Sequence, residues 1–331
     1  MIVIASDKFK GTLTAGEACR AIAEGLRAAG VGARMMLMPM ADGGDGTAAI
    51  LQPLLGAGAH VVESHACIGP DAFRGLPPML RSSHALGMAL REAPAAMPLL
   101  VGIGGTACCD GGAGMLQALG MKAWRADGSL IEEPLTPQAL AGVARVDFSD
   151  IDSACVSRLT ALADVHASLL PDGEGMLSAL DFAPQKGFTD MEALARALAA
   201  WRRLAGGGRS SAVDGAGGGV GFAIASVLGA PFADGASFVA DAYGGDALRG
   251  ATLVVSGEGC IDSQTGAGKV VAEMARRARA DGARFLAIGG SVRGTHPFQT
   301  VAVDSPGTPL PQSPAEAAAR LRAAAARLTG L

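Results

Sequence analysis

Four loops of this chain gather acids, lysines and glycines at spacings that could do chemistry. Asp7-Lys-Phe-Lys-Gly-Thr12 puts an acid and two lysines just ahead of a helix start. A helix N-terminus attracts anions, and Lys10 adds point charge for a phosphate or carboxylate. The same stretch also reads as a solvated turn. Asp42-Gly-Gly-Asp-Gly-Thr47 holds two carboxylates three residues apart among glycines. Asp42 and Asp45 so placed suit Mg²⁺, which takes one or two carboxylates plus substrate phosphates. A carboxylate here could instead be a general base for a hydroxyl, or cap the next helix. Gly102-Ile-Gly-Gly-Thr-Ala leads to Asp110, and Gly104, Gly105 and Thr106 read as a cradle for a phosphate or carboxylate. Asp110 is equally suited to capping the helix that follows. Glu258 and Asp262 flank a loop that ends in Lys269, which fits a helix-start anion site or a plain helix entry.

Several familiar sites are excluded. The Gly102 loop has no convincing acid about 20 residues on, as a dinucleotide fingerprint requires. The loop before Lys269 is not a P-loop, because Val270 stands where Ser or Thr is needed. The Asp42 loop lacks the late Glu of a calcium-binding EF-hand. The histidines at 60, 65, 84, 166 and 296 have no zinc spacing, and no Gly-x-Ser-x-Gly elbow occurs.

These loops must be held by strands and helices, and the apolar pattern supplies them. Ile2–Ala5, Met35–Met38, Leu99–Val101, Leu159–Ala163, Leu253–Val255 and Phe285–Ile288 read as buried strands. Helices are expected after Thr14-Ala-Gly-Glu17 and Thr189-Asp-Met-Glu192, both capping boxes, and after Ser313-Pro314. Others are expected at 47–55, 83–92, 113–119 and 269–280, and Gly215–Gly221 opens a further helical segment. The stretch from Val61 to Pro98 reads as irregular apart from helix 83–92. Strands alternating with helices give an α/β class with a largely parallel sheet. Ligands in such sheets bind beyond the carboxyl ends of strands. That places Asp7, Asp42, Asp110, Asp164, Glu258 and Ser291 at site positions.

Composition narrows the function. The chain has 331 residues, half of them hydrophobic, with a net charge of −4, so two globular domains are expected and a general nucleic-acid binder is not. No apolar run approaches the roughly 20 residues of a membrane span. Six cysteines without a paired pattern point to a reducing cytoplasm, and no signal peptide is expected. Acids, lysines and glycine loops together favour phosphoryl transfer over hydride transfer.

At these same loops the sequence resembles the bacterial glycerate kinase family of the glycerate 2-kinase type. The matching stretches are Ile2–Thr12, Met38–Thr47, Gly102–Gly120, Phe182–Gly187, Gly215–Gly221, Val255–Lys269 and Ala287–Val292, in the family's order. The resemblance implies phosphorylation of D-glycerate to 2-phosphoglycerate with ATP and Mg²⁺. It implies two α/β domains with the active site in the cleft between them. One is a flavodoxin/Rossmann-like parallel sheet built from both chain ends (1–65 and 245–331), the other an inserted domain (66–244). Asp7, Lys10, Asp42, Asp110, Gln185, Lys186, Glu258, Asp262, Gln264 and Lys269 match the family's polar motif positions. The base is expected among Asp7, Asp42 and Asp164, with Lys10 and Lys186 neutralising charge. Gln185 joins the substrate loop, while Glu258, Asp262, Gln264, Lys269 and Ser291 face the nucleotide. The expected partners are a small hydroxy acid and ATP, with a homodimer left open, and neither nucleic acid nor membrane.

The sequence also departs from the family pattern. Residues 66–98 are shorter than usual, Cys108 and Cys109 replace Thr or Ser followed by Asn, and Cys260 replaces Arg. Asp45 stands where Glu is usual, Gly266 where Leu is usual, and Val165-His-Ala-Ser-Leu169 where Asn-Pro-Leu follows Asp164. Losing an Arg removes a bidentate carboxylate or phosphate ligand. A paralogue acting on another hydroxy acid or hydroxy phosphonate, or a non-catalytic nucleotide- or acid-binding protein, is the alternative.

Overall fold

The computed structural model describes residues 1–163, 165–172, 176–206, 210–262, 265 and 269–328. Eleven strands follow in chain order: β1 (Ile2–Ser6), β2 (Met35–Leu37), β3 (His60–Glu63), β4 (Leu99–Gly102), β5 (Lys122–Trp124), β6 (Arg145–Asp147), β7 (Leu159–Ala163), β8 (Phe232–Asp234), β9 (Leu253–Ile261), β10 (Arg284–Val292) and β11 (Gln299–Ala302). They belong to two compact units, in the α/β class expected. The first takes Met1–Asp42, Ala49–Leu54 and Ala236–Leu331, the second Gly43–Ala48 and Leu55–Gly235.

In the first unit five parallel strands lie in the order β11-β10-β9-β1-β2. Counted within the unit this is 2-1-3-4-5, the flavodoxin-like order, with its topological switch point between β1 and β9. β1 is buried throughout and apolar up to Ser6, as a parallel strand covered on both faces is. Ile4, Val255 and Ile288 pack with Ile22, Leu26 and Leu321 from the helices Ala15–Ala28 and Pro314–Ala326. Val271 of the helix Val270–Ala280 packs with Ala287 and Ile261 in a separate cluster. Both expected caps form: Thr14 and Glu17 make the reciprocal capping box, and Ser313 caps the helix that Pro314 begins. Gly25 lets two helices touch, since a Cβ there would strike the Arg322 carbonyl and lie 2.7 Å from Ala325 Cβ.

In the second unit four parallel strands run in the order β3-β4-β7-β8, beside an antiparallel β5–β6 ribbon. Its core joins Leu99, Val101 and Ile103 to Leu116, Leu198, Trp201 and Phe222. Trp201 is fully buried, and its indole N–H donates to the Gly111 carbonyl at 3.0 Å. That bond ties the glycine loop after β4 to the helix Met191–Leu204.

Three sequence readings need correction. His60–Glu63 is a regular strand paired with β4, so Val61 and Val62 open the second sheet and not an irregular stretch; this puts the chain in the second unit before residue 65. The helix at 191–204 is capped by the Asp190 carboxylate, which accepts from Ala193 N–H at 2.8 Å, and not by a Thr189 box. Gly217, Gly218 and Gly219 all have positive φ (63°, 70° and 92°), so the helical segment expected to open at Gly215–Gly221 starts only after this left-handed stretch, at Phe222–Val227. Strands β5, β6, β8 and β11 carry too few apolar residues to stand out in the sequence.

Candidate active site

At the switch point of the first unit three adjacent strands deliver acids at their carboxyl ends. Asp7 follows β1 and Glu258 lies in β9. Beyond β2 the chain keeps alongside β1, with Met38 N–H on the Ile4 carbonyl and Met40 N–H on the Ser6 carbonyl, and reaches Asp42. The Tyr243 hydroxyl donates to the Pro39 carbonyl at 2.8 Å and fixes this path. Nothing in the sequence singled out Tyr243, although it is the chain's one tyrosine.

Asp7 is only 9% exposed. Its backbone N–H donates to the Gly257 carbonyl, and one carboxylate oxygen accepts from Lys8 N–H at 2.7 Å. Burial raises its pKa from 3.8 to about 8; the nearby Asp42 charge and, less strongly, Glu258 push the same way, against the pull of Lys8. Glu258 is also buried and its pKa is raised, first by desolvation. The Thr265 hydroxyl donates to Glu258 Oε1 at 2.8 Å and Lys269 attracts the charge, both opposing that rise, while Asp262 and Asp42 add to it. Asp262 N–H in turn donates to Thr265 Oγ1 at 3.0 Å, so Thr265 bridges the two acids. Lys269 stands at the N-cap of the helix Val270–Ala280. Ser291 is paired in register with Cys260, and Cys260 Sγ lies 3.7 Å from Asp262 Oδ2. Lys10 is exposed and, with Ser291, borders a cavity of about 440 Å³.

The second unit builds a different surface from its own strand ends. After β3, Ser64 Oγ donates to the Gly104 carbonyl at 2.9 Å, and His65 Nδ1 stands 3.0 Å from the Gly105 carbonyl oxygen. Gly104 approaches backbone closely: a Cβ there would lie 2.6 Å from Gly44 Cα. Lys186 Nζ donates to Thr106 Oγ1 at 2.8 Å and to the Cys108 carbonyl at 3.0 Å. Gly218 makes room for it, as a Cβ there would meet Lys186 Nζ at 2.9 Å and strike the Cys108 carbonyl. Gly218 therefore leaves room for an ammonium group, a use that periodicity cannot reveal. Arg81 clamps the arrangement, donating from Nη1 to the carbonyls of Ala107 (3.2 Å) and Lys186 (2.8 Å). Arg81 lies in the shortened stretch 66–98 and was not a sequence candidate. Gln185 is exposed beside Lys186.

Asp110 uses its carboxylate for bonds within the second unit. It is fully buried; Oδ2 accepts from Ser83 N–H (2.8 Å), Ser83 Oγ (2.7 Å) and Gly114 N–H (3.1 Å), and Oδ1 from Gly112 N–H (3.1 Å). It joins two helix starts, which is the capping alternative. Desolvation raises its pKa against the pull of those four bonds. Cys108 and Cys109 are fully buried beside it, and burial pushes both thiols up. Asp45 stands 4.0 Å from His65 Nε2. Among the described residues no group of three or more His, Cys, Asp or Glu is arranged to hold a metal ion. Asp164 and Gln264 lie outside the described residues. Nor is any described helix long and apolar enough to cross a membrane.

The sequence pattern of the glycerate kinase family matches residues 2–72 and 54–330, two stretches that overlap just after the first unit gives way to the second. The chain belongs to the glycerate kinase family. Among its relatives, the glycerate kinase of Bacillus subtilis strain 168 is 32% identical, with 88% of this chain and 85% of that protein covered. The glycerate 2-kinase of Escherichia coli K12 shows the same identity and coverage. A crystal structure from Salmonella typhimurium LT2, provisionally described there as glycerate kinase 2, superposes with a TM-score of 0.75 at 29% identity over 98% of this chain and 96% of that one. Membership in the family makes this chain a kinase, a phosphotransferase.

Proposed function

We propose that this chain transfers the γ-phosphoryl group of ATP, with Mg²⁺, to the C2 hydroxyl of D-glycerate, giving 2-phosphoglycerate. The observation that carries the reading is Asp7: a buried carboxylate at a flavodoxin-like switch point whose pKa is raised to about 8. A base poised near the working pH is what proton removal from a hydroxyl asks for. As the hydroxyl oxygen bonds to the γ-phosphorus, its proton passes to Asp7 and ADP departs. Lys269 and Lys10 offset phosphate charge in the same unit, and Asp262 orders the loop beside Glu258. Lys186, held against Thr106 with Gly104 and Gly105 nearby, supplies cation and backbone for the acid's carboxylate.

The donors in the first unit fit Mg²⁺. Among the described residues they are hard carboxylate oxygens without a three-ligand protein cage, and Mg²⁺ is bound by one or two carboxylates with the rest from phosphates and water. Asp42 is the foremost ligand in this reading. Bound there, the ion would neutralise charge on the β- and γ-phosphates.

A different hydroxy acid as acceptor is the second reading. Cys260 favours it, because it stands beside Asp262 where the family pattern has Arg and offers no guanidinium. ADP release from Mg²⁺-ATP with D-glycerate, alongside a panel of hydroxy acids and hydroxy phosphonates, tests both, with the product position read by ³¹P NMR. Turnover on glycerate to the 2-phosphate supports the first reading. Turnover on another acid alone replaces it with the second, and no turnover on any overturns both.

A further inference from the structure

We infer that the cavity at the carboxyl ends of β1, β9, β10 and β11 receives the base and ribose of the nucleotide. This rests on the kinase reading above and adds to it the place and chemistry of the nucleotide's non-phosphate end.

The cavity is about 440 Å³, within the roughly 300–1,000 Å³ of small-molecule sites. Its apolar wall is made by Phe9, Leu13, Val292, Leu310 and Leu321. That wall suits a flat heteroaromatic ring, while Lys10, Thr12, Ser291, Arg293 and Thr308 on the same lining offer polar groups to the ribose and phosphates. Leu310 is 83% exposed, far more than any other large apolar side chain on the described surface. A ring seated in the cavity would cover an apolar group that otherwise stands in water.

The far wall is built before any ligand arrives. Arg320 donates from Nη1 to Asp304 Oδ1 (3.1 Å) and the Pro309 carbonyl (2.9 Å), and from Nη2 to Glu316 Oε1 (2.5 Å). Glu316 also accepts from Gln312 N–H at 2.8 Å. These bonds pin the segment 304–312 to the helix Pro314–Ala326. The floor is bare backbone: a Cβ on Gly290 would lie 2.5 Å from the Gly259 carbonyl oxygen, and one on Gly259 would lie 3.4 Å from Lys10 N.

The cavity also points the right way. Gly259 directly follows Glu258 in β9, and Phe9 stands two residues beyond Asp7. A nucleotide with its base against Leu310 and Val292 therefore runs its phosphates past Lys10 toward the acids.

The test is calorimetric binding to the full chain. ADP should bind about tenfold or more weakly to Ser291→Trp, which fills the cavity, and about fivefold more weakly to Leu310→Ser, which removes the apolar rim. Inorganic tripolyphosphate, which has no base, should bind both variants as it binds the parent. Leu310→Ser changes an exposed side chain, so it decides the matter alone if Ser291→Trp loses cooperative unfolding. If the parent binds ADP and both folded variants bind it equally well, the base lies elsewhere and the inference falls while the kinase reading stands. If the parent binds neither ADP nor ATP, the kinase reading falls with it.

Discussion

Replacing Asp7 by Asn should abolish turnover and at the same time stabilise the first unit, by an amount that grows with pH. Asp7 holds its proton to about pH 8 in the folded chain, whereas an aspartate in the unfolded chain releases it near 3.8. Between these values the folded state binds more protons than the unfolded state. Stability therefore falls as pH rises from about 4 to about 8, and the loss is complete above 8. At about 1.4 kcal/mol for each tenfold change in proton affinity, the gap between 3.8 and about 8 sets a ceiling of about 6 kcal/mol. Water entry and local relaxation screen a carboxylate at a strand end, so we expect roughly a third of that, about 2 kcal/mol. For a unit of this size that is about 4–8 °C in Tm. The assay is thermal unfolding from pH 4.5 to 9 in EDTA, parent against Asp7→Asn. The two curves should meet near pH 4.5 and separate steadily, with the variant higher. Parallel curves, or a variant less stable at pH 9, would refute the claim that burial holds the Asp7 proton up to about pH 8. A variant that kept the parent's kcat would remove Asp7 as the base.

Further outcomes follow from neighbouring contacts. Asp42→Asn removes the largest charge that raises Asp7's pKa, so both the stability decline and the rising limb of kcat/KM should shift to lower pH; an unmoved limb would uncouple the two acids. Lys186→Gln should lower kcat/KM for the hydroxy acid on the order of a hundredfold and leave ADP affinity unchanged by calorimetry, since its ammonium is held among Thr106 and Cys108. Asp110→Asn should cost about 2–3 kcal/mol in a denaturant titration, because an amide N–H₂ must meet a backbone N–H where a carboxylate now accepts four bonds; a change under about 0.5 kcal/mol would place Asp110 outside the packing.

Much of the fold was legible where one signal sufficed. Ile2–Ala5 is apolar without alternation, rich in β-branched residues and short, as a strand covered on both faces is, and it became β1. Thr14 with Glu17 and Ser313 with Pro314 are local chemistry, and both caps formed as written. The readings that failed depended on partners far away in sequence. His60–Glu63 is a strand because β4 lies beside it, and nothing within those four residues says so. Gly217–Gly219 turn left-handed where backbone and side chains from distant segments press close: a Cβ on Gly218 would strike the Cys108 carbonyl and lie 2.9 Å from Lys186 Nζ, and one on Gly217 would lie 2.8 Å from the Ile103 carbonyl oxygen. In the site, the acids Asp7, Asp42 and Glu258 were visible as polar residues after apolar runs. Tyr243 and Arg81 were not, because each acts through a carbonyl oxygen, and a carbonyl leaves no trace in residue type.

The placement of the three acids has an energetic meaning of its own. A fold selected for stability alone would not gather Asp7, Asp42 and Glu258 at adjacent strand ends, where burial raises the pKa of Asp7 and Glu258 and mutual repulsion adds to it. The flavodoxin-like order brings the three acids together, since the strands that carry or precede them are neighbours in the sheet. What relieves such a cluster is a cation or a proton. The described residues contribute Lys8 toward Asp7 and Lys269 toward Glu258, and the carboxyls remain shifted upward all the same. Positive charge brought by a ligand would therefore be bound with unusual gain at this point. On that argument Mg²⁺ should raise the Tm most at pH 8–9, where the cluster is most charged, and scarcely at pH 5. A stabilisation by Mg²⁺ that is equal at both pH values would show that the ion binds somewhere other than among these acids.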